Sequence, residues 1–361
     1  MTPRPHTPGP GTAPTPAPKT VLIVAPSWVG DATMATPAFR AIASAWPSTR
    51  RVLLCRPGIN EVLGGLPFDE VVVDRLGGAL GPLRGAGKLR AIKADLAILF
   101  PNSFRVALAV RAAGIRQRIG YARDGRGFLL TTGVATPSER PASTLDGYCD
   151  LVEQGLGIPV TDRRPMLALV DADRDSARAA LGGGPDAYAV LVPGGNNPAK
   201  RWPAERFARI AELLFTRHGL SSLIAGSPGE RELIDSIRAA STCETVSLAE
   251  RSLGLGALKA IIAGARIVVT NDTGPRHIAA AFGVPTVALF GPTDHRWTRL
   301  SGVPERLLVA EPFLPEELVA DDRPEFCRME RISVGDVEAA IDSLLAERAA
   351  EEAVRTGGFV G

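Results

Sequence analysis

Residues 21–46 read VLIVAPSWVGDATMATPAFRAIASAW. Residues 21–25 are a short apolar run stopped by Pro26, and from Asp31 to Trp46 apolar residues recur at helical spacing in an Ala-rich segment. A strand passing through a brief Gly-containing turn into a helix is the opening unit of a parallel β/α sheet. The pattern returns at 51–55, 70–73 and 96–100, each an apolar run followed by a turn and a candidate helix. A second series follows the punctuation of Gly183, Gly184 and Pro185, with strand-like runs at 188–192, 222–225, 266–270 and 285–290 and a helical stretch at 203–217. Repeated β-α units predict α/β sheets covered on both faces. The pattern is interrupted between 157 and 186, so the expected organisation is a Pro-rich disordered tail (1–19), domains at 20–170 and 171–345, and a C-terminal tail (346–361). Two Rossmann-like domains of this kind are expected to turn their strand-end loops toward one central cleft.

A chain of 361 residues suits two domains, and 45% hydrophobic with 22% charged residues excludes a fibrous or wholly disordered protein. Cys55, Cys149, Cys243 and Cys327 form no C-x-x-C pair, which argues against a disulfide framework or a zinc ribbon and for a reducing cytoplasm. No apolar run approaches the ~20 residues of a spanning helix. The opening MTPRPHTPGPGTAPTPAPKT has no signal-like apolar core, so a cytoplasmic protein is expected. The net charge of +2 hides an asymmetry. Residues 20–164 carry 18 Lys+Arg against 12 Asp+Glu, and residues 165–361 carry 21 against 27. The basic first half fits either ordinary surface variation or an anionic partner.

Four loops could carry chemistry. In the first, Ser27, Trp28, Gly30 and Asp31 end the opening strand; Asp31 could take a proton from a hydroxyl, and is equally a favoured helix cap. Trp28 fits a sugar face or an aromatic wedge. In the second, PGGNNPAKRWP from Pro193, Gly194 and Gly195 allow close backbone approach, and Lys200 and Arg201 could neutralise a diphosphate or remain solvated. Trp202 reads equally as core. The third, TNDTGPRH from Thr270, opens a helix whose N–H groups favour phosphate, with Asp272, Thr273, Gly274 and His277 as candidate contacts or as caps and packing. The fourth, 290–295, either borders the ligand or forms a turn. The Asp171-Ala172-Asp173 pattern is a weak metal signal, and the stretch from Gly81 to Lys88 lacks the spacing of a P-loop.

Together, PSWVGD from Pro26, PGGNNPAKRWP, TNDTGPRH and LFGPTDHRWT from Leu289 resemble the ADP-heptose:lipopolysaccharide heptosyltransferases of glycosyltransferase family 9 over residues 20 to about 345. PSWVGD and PNSF from Pro101 look most like the heptosyltransferase II branch, and CRMERISVGDVEAAI from Cys327 resembles the family's closing segment. One departure is Pro275 and Arg276, where the familiar enterobacterial pattern has apolar residues. The resemblance implies a GT-B fold and an inverting transfer of heptose from ADP-L-glycero-D-manno-heptose to a lipopolysaccharide inner-core acceptor. It implies Asp31 as base and Lys200 as the lysine on the phosphates. Gly194, Gly195, Arg201, Asp272, Thr273, Gly274 and His277 complete the expected donor site. Ser27, Trp28, Gly30, Asn102, Ser103, Arg56 and Arg105 are expected on the acceptor side, with Lys88, Arg90, Lys93 and Arg111 as further basic candidates. The expected partners are ADP-heptose and a lipid A-core acceptor at the inner membrane surface, without cofactor, metal or nucleic acid. A related transferase, a nucleotide-sugar epimerase and a non-catalytic nucleotide-sugar-binding protein are the alternatives.

Overall fold

The computed structural model describes residues 15–76, 81–136, 143–251, 253–311 and 326–357. Two compact units divide between Ala168 and Leu169.

The first unit holds six parallel strands, β1 (Thr20–Val24), β2 (Arg50–Cys55), β3 (Glu70–Val73), β4 (Leu96–Leu99), β5 (Gln117–Tyr121) and β6 (Thr132–Val134), in the order β3-β2-β1-β4-β5-β6. Its helices are α1 (Val29–Met34), α2 (Thr36–Ala45), α3 (Ile59–Val62), α4 (Gly81–Ile92), α5 (Phe104–Ala112) and α6 (Thr144–Leu156). β1 is central, with Ile23 opposite Leu53 on one side and Ile98 on the other. Its residues Val21 to Val24 are buried, because a parallel sheet has helices on both faces and an alternating polar residue would have no water to meet.

The second unit holds β7 (Tyr188–Val192), β8 (Ser221–Ile224), β9 (Thr245–Ser247), β10 (Ile267–Asn271), β11 (Thr286–Phe290) and β12 (Glu305–Val309), all parallel, in the order β12-β11-β10-β7-β8-β9. Counted from its own first strand this is the order of the first unit. Its helices are α7 (Asp171–Leu181), α8 (Ala204–His218), α9 (Arg231–Ala240), α10 (Leu255–Gly264), α11 (Gly274–Ala281) and α12 (Val334–Gly357). Trp202, Phe207, Leu214, Ile224, Val269 and Leu289 share one core, with the Trp202 Nε1–H donating to the Ile332 carbonyl at 3.0 Å. In each sheet the strand order reverses once, between β1 and β4 and between β7 and β10, which opens a crevice at the carboxyl ends of those strands.

Several expectations are corrected. The single helix foreseen over 31–46 is two, α1 and α2, meeting at Ala35. Pro37 cannot donate to the Thr33 carbonyl, and the Thr36 hydroxyl takes that acceptor instead at 2.7 Å. Residues 15–19 are not a free tail: the Thr15 N–H donates to the Leu156 carbonyl, the Thr49 hydroxyl to the Pro18 carbonyl and the Arg50 N–H to the Lys19 carbonyl. Residues 1–14 of the expected tail lie outside the described residues. The tail foreseen from 346 is helical to Gly357, and Glu352 there accepts from Arg348 one turn before it and from Arg266 at the head of β10. Four strands, β5, β6, β9 and β12, were not foreseen. They are short or carry charged and glycine residues, which blur strand periodicity.

Candidate active site

In the first unit the turn after β1 and the turn after β4 meet in the reversal crevice. Trp28 is the N-cap residue of α1, with an extended backbone, and 63% of it is exposed. Asp31 is therefore the third residue of the helix rather than its cap, a position at which the helix dipole favours a carboxylate. It is partly exposed. Tyr148 on α6 is a neighbour that sequence reading missed. Its phenol is held protonated well above the ordinary tyrosine range, first by burial and then by the negative charge of Asp31.

A pocket of about 140 Å³ sits at the same strand ends, lined by Ser27, Arg56, Ser103 and Arg105 together with Cys55 and Arg75. The structure thus gathers two of the six basic candidates and adds Arg75. The Lys88 ammonium donates to Asp74 at 2.8 Å, Arg90 to the Ala112 carbonyl and Arg111 to the Phe128 carbonyl. Burial pushes the Cys55 thiol up to about 11, so it contributes no thiolate. The Ser103 side chain caps α5 by accepting from the Val106 N–H. Asn102 accepts from Arg126 at 2.9 Å, and Arg126 also donates to the Pro101 and Tyr121 carbonyls. Arg126 is fully buried, and burial brings its guanidinium down to about 10. It braces the loop that carries Asn102 and Ser103. Nothing in its local sequence distinguishes it from the surface arginines around it.

In the second unit the loops after β7 and β10 meet at the corresponding crevice. The Asn271 amide donates to the Pro193 carbonyl at 2.7 Å and to the Gly194 carbonyl at 3.2 Å, and its oxygen accepts from the Trp202 N–H at 3.3 Å. One buried side chain therefore ties the Gly194 loop to the entry of α11. At Gly194 a Cβ would lie within 2.5 Å of the Glu230 carboxyl carbon, so a side chain there would displace that carboxylate from the Gly195 N–H. Glu230, also missed from sequence, accepts from the Gly195 N–H at 2.8 Å and from the Ser227 N–H and hydroxyl. Burial alone would raise its carboxyl, but these hydrogen bonds outweigh it and hold the group below the ordinary glutamate range. Its signal was the S-P-G-E capping box at Ser227.

Arg201 folds back to donate twice to the Gly195 carbonyl, at 2.8 and 3.1 Å. No such bond engages the half-buried Lys200 ammonium among the described residues. Thr273 is the N-cap residue of α11, with Gly274 first in the helix and Pro275 in its first turn. The Thr273 hydroxyl faces Thr270 Oγ1 at 3.2 Å. Asp272 pairs with Arg276 at 3.5 Å. His277 is 4% exposed and its Nδ1 has no partner among the described residues. Burial first, and the Arg276 charge second, keep its imidazole neutral, with a pKa well below the ordinary value. Asp294 accepts from the backbone and side chain of Arg296 and so serves its turn. Asp173 is closed off by Lys259 at 2.8 Å and by the Val170 N–H. Among the described residues no group of three or more His, Cys, Asp or Glu is placed to hold a metal, and no helix is long and apolar enough to cross a membrane.

The family profile of glycosyltransferase family 9 (heptosyltransferase) matches residues 83–311. Lipooligosaccharide heptosyltransferase 2 of Haemophilus influenzae is 31% identical over 299 residues, spanning 77% of this chain and 85% of that protein. Lipopolysaccharide heptosyltransferase 2 of Escherichia coli K12 is 29% identical over 302 residues, spanning 77% and 84%. Among solved structures, that of E. coli ADP-heptose lipopolysaccharide heptosyltransferase II shares the fold with a TM-score of 0.78 at 24% identity, covering 91% of this chain and 99% of that one. A glycosyl transferase family 9 protein from Veillonella parvula does so with a TM-score of 0.79 at 21% identity, covering 91% and 97%.

Proposed function

The chain belongs to glycosyltransferase family 9, the heptosyltransferases, and from that premise we propose that it transfers heptose from ADP-L-glycero-D-manno-heptose to an inner-core lipopolysaccharide acceptor, as a heptosyltransferase II. The observation that carries this reading is the Asn271 tie, which sets the loop bearing Lys200 beside the entry of α11. An ammonium with no hydrogen-bond partner among the described residues and the positive end of the α11 dipole together suit a diphosphate. The reaction is a direct displacement. Asp31 removes the proton from the acceptor hydroxyl, whose oxygen forms a bond to the anomeric carbon as the bond to ADP breaks. Lys200 and the first turn of α11 stabilise the charge that develops on the departing diphosphate.

The first unit holds the acceptor. Arg56, Arg75 and Arg105 line one pocket at the strand ends, and an inner-core acceptor carries negative groups. On this reading the protein works at the cytoplasmic face of the inner membrane, drawn there by the same attraction. Incubation with ADP-heptose and a panel of defined core acceptors, followed by mass analysis, tests the reading. Addition of one heptose to a heptosylated core supports it. Conversion of the sugar without acceptor points to an epimerase, and binding without either product to a non-catalytic protein.

Neutralising Arg56, Arg75 and Arg105 to glutamine is expected to raise acceptor KM about tenfold and to flatten its salt dependence, with ADP affinity within about twofold. Acceptor titrations at low and high salt, beside calorimetry with ADP, measure both. Lost ADP affinity with an unchanged acceptor KM would reverse the assignment of the units.

A further inference from the structure

Arg276 departs from the apolar residues of the familiar pattern, and the fold buries it completely. Its guanidinium meets Glu305 at the head of β12 in a two-pronged pair, Nε to Oε1 at 2.6 Å and Nη2 to Oε2 at 2.8 Å. Nη1 donates to the Thr298 hydroxyl at 2.9 Å and lies 3.5 Å from Asp272. The Phe290 ring lies under the cation, 4.8 Å from centroid to Cζ. Glu305 is nearly as buried, with 5% of its side chain exposed.

A buried ion pair is poor evidence for stability, because desolvating both charges cancels much of their attraction and an apolar pair of similar volume often serves as well. The side of the cluster that opens to the site is Asp272, 11% exposed, in the loop directly before α11. Three partners fix the guanidinium: a carboxylate fork, a hydroxyl and an aromatic face. A guanidinium so held keeps Nη1, bonded to Thr298, at a fixed 3.5 Å from the Asp272 carboxylate.

We propose that Arg276, clamped by Glu305, is a positioning residue that orients the Asp272 carboxylate to receive a hydroxyl of the donor sugar. The proposal rests on the ADP-heptose reading and deepens it. Because Arg276 acts through Asp272, its removal should weaken recognition of the sugar and spare recognition of ADP.

Removing Arg276 alone would leave Glu305 buried and unpaired, so the informative variant replaces both, Arg276→Met with Glu305→Met. In the full-length enzyme this variant should melt close to the unaltered protein and bind ADP within about twofold, while KM for ADP-heptose rises about tenfold. Arg276→Lys keeps a charge against Glu305 but loses the fork, and should raise KM about threefold in the same direction. Placed on an Asp272→Asn background, the paired substitution should add less than about twofold, since the group it orients is already gone. Unchanged kinetics in both the paired and the lysine variants would overturn the proposal, as would equal loss of ADP and ADP-heptose affinity, which would mark collapse of the loop. A full tenfold effect on the Asp272→Asn background would also overturn it. If the unaltered enzyme transfers no heptose, the functional reading itself fails, and this inference with it.

Discussion

Asp31→Asn is expected to lower kcat by at least ~10²-fold, the lower range for loss of general-base help, while ADP affinity and the fold persist. The amide has the shape of the carboxylate but no basic oxygen, so the acceptor hydroxyl would have to attack with its proton still attached. The fold should tolerate the change because Asp31 is not the cap of α1: Trp28 holds that place, and the helix begins without a side-chain cap bond. The substitution removes, among other things, the first-turn carboxylate's interaction with the helix dipole, ~0.3–1 kcal/mol. Product formation under saturating donor and acceptor, melting temperature and ADP calorimetry together provide the check. A folded variant turning over near the normal rate would reduce Asp31 to a structural residue.

Lys200→Ala should cost about 10²-fold in kcat/KM, with ADP binding weakened in parallel. The neighbouring Arg201 is a poor substitute, because the Nε–Nη2 edge of its guanidinium is turned back onto the Gly195 carbonyl. A charge facing a diphosphate matters most as the leaving group acquires its full negative charge, so kcat should fall by more than ground-state ADP affinity alone accounts for. Lys200→Arg restores charge but not the compact ammonium, and partial recovery is the expected result. Calorimetric ADP affinity and single-turnover rates separate the two contributions. If neither moves in the alanine variant, Lys200 lies outside the site.

Much of the architecture was legible because buried parallel strands are continuous apolar runs. Central strands such as β1, β4, β7 and β10 are buried along their length and announce themselves, whereas β6 and β9 are three residues each and merge with their turns. The loops at 26–31, 193–201 and 270–277 were recognisable for a related reason. A turn that must let a ligand or another chain segment approach closely draws on a narrow set of residues, glycine and asparagine among them, placed directly after a strand. Gly194 is the case in point, with the Glu230 carboxylate occupying the space a side chain would need.

Sequence by itself determined that there are two β/α series, where their strand-end loops fall, and which residue types those loops offer, because periodicity and turn chemistry are local properties. Only the tertiary structure decided which charges act together. Arg56 and Arg75 follow β2 and β3, Arg105 lies in the first turn of α5, and the three share a pocket, whereas Lys88, Arg90 and Arg111, alike in sequence, are committed to partners within the fold. Nothing local marks Arg126 or Arg276 for burial, yet the fold buries both completely. The physical reason is that an ionised group is defined by its surroundings. Whether it is solvated, paired or held against a second residue depends on neighbours 20 or 30 positions away, such as Glu305 for Arg276 and Pro101 for Arg126, which only packing brings into range.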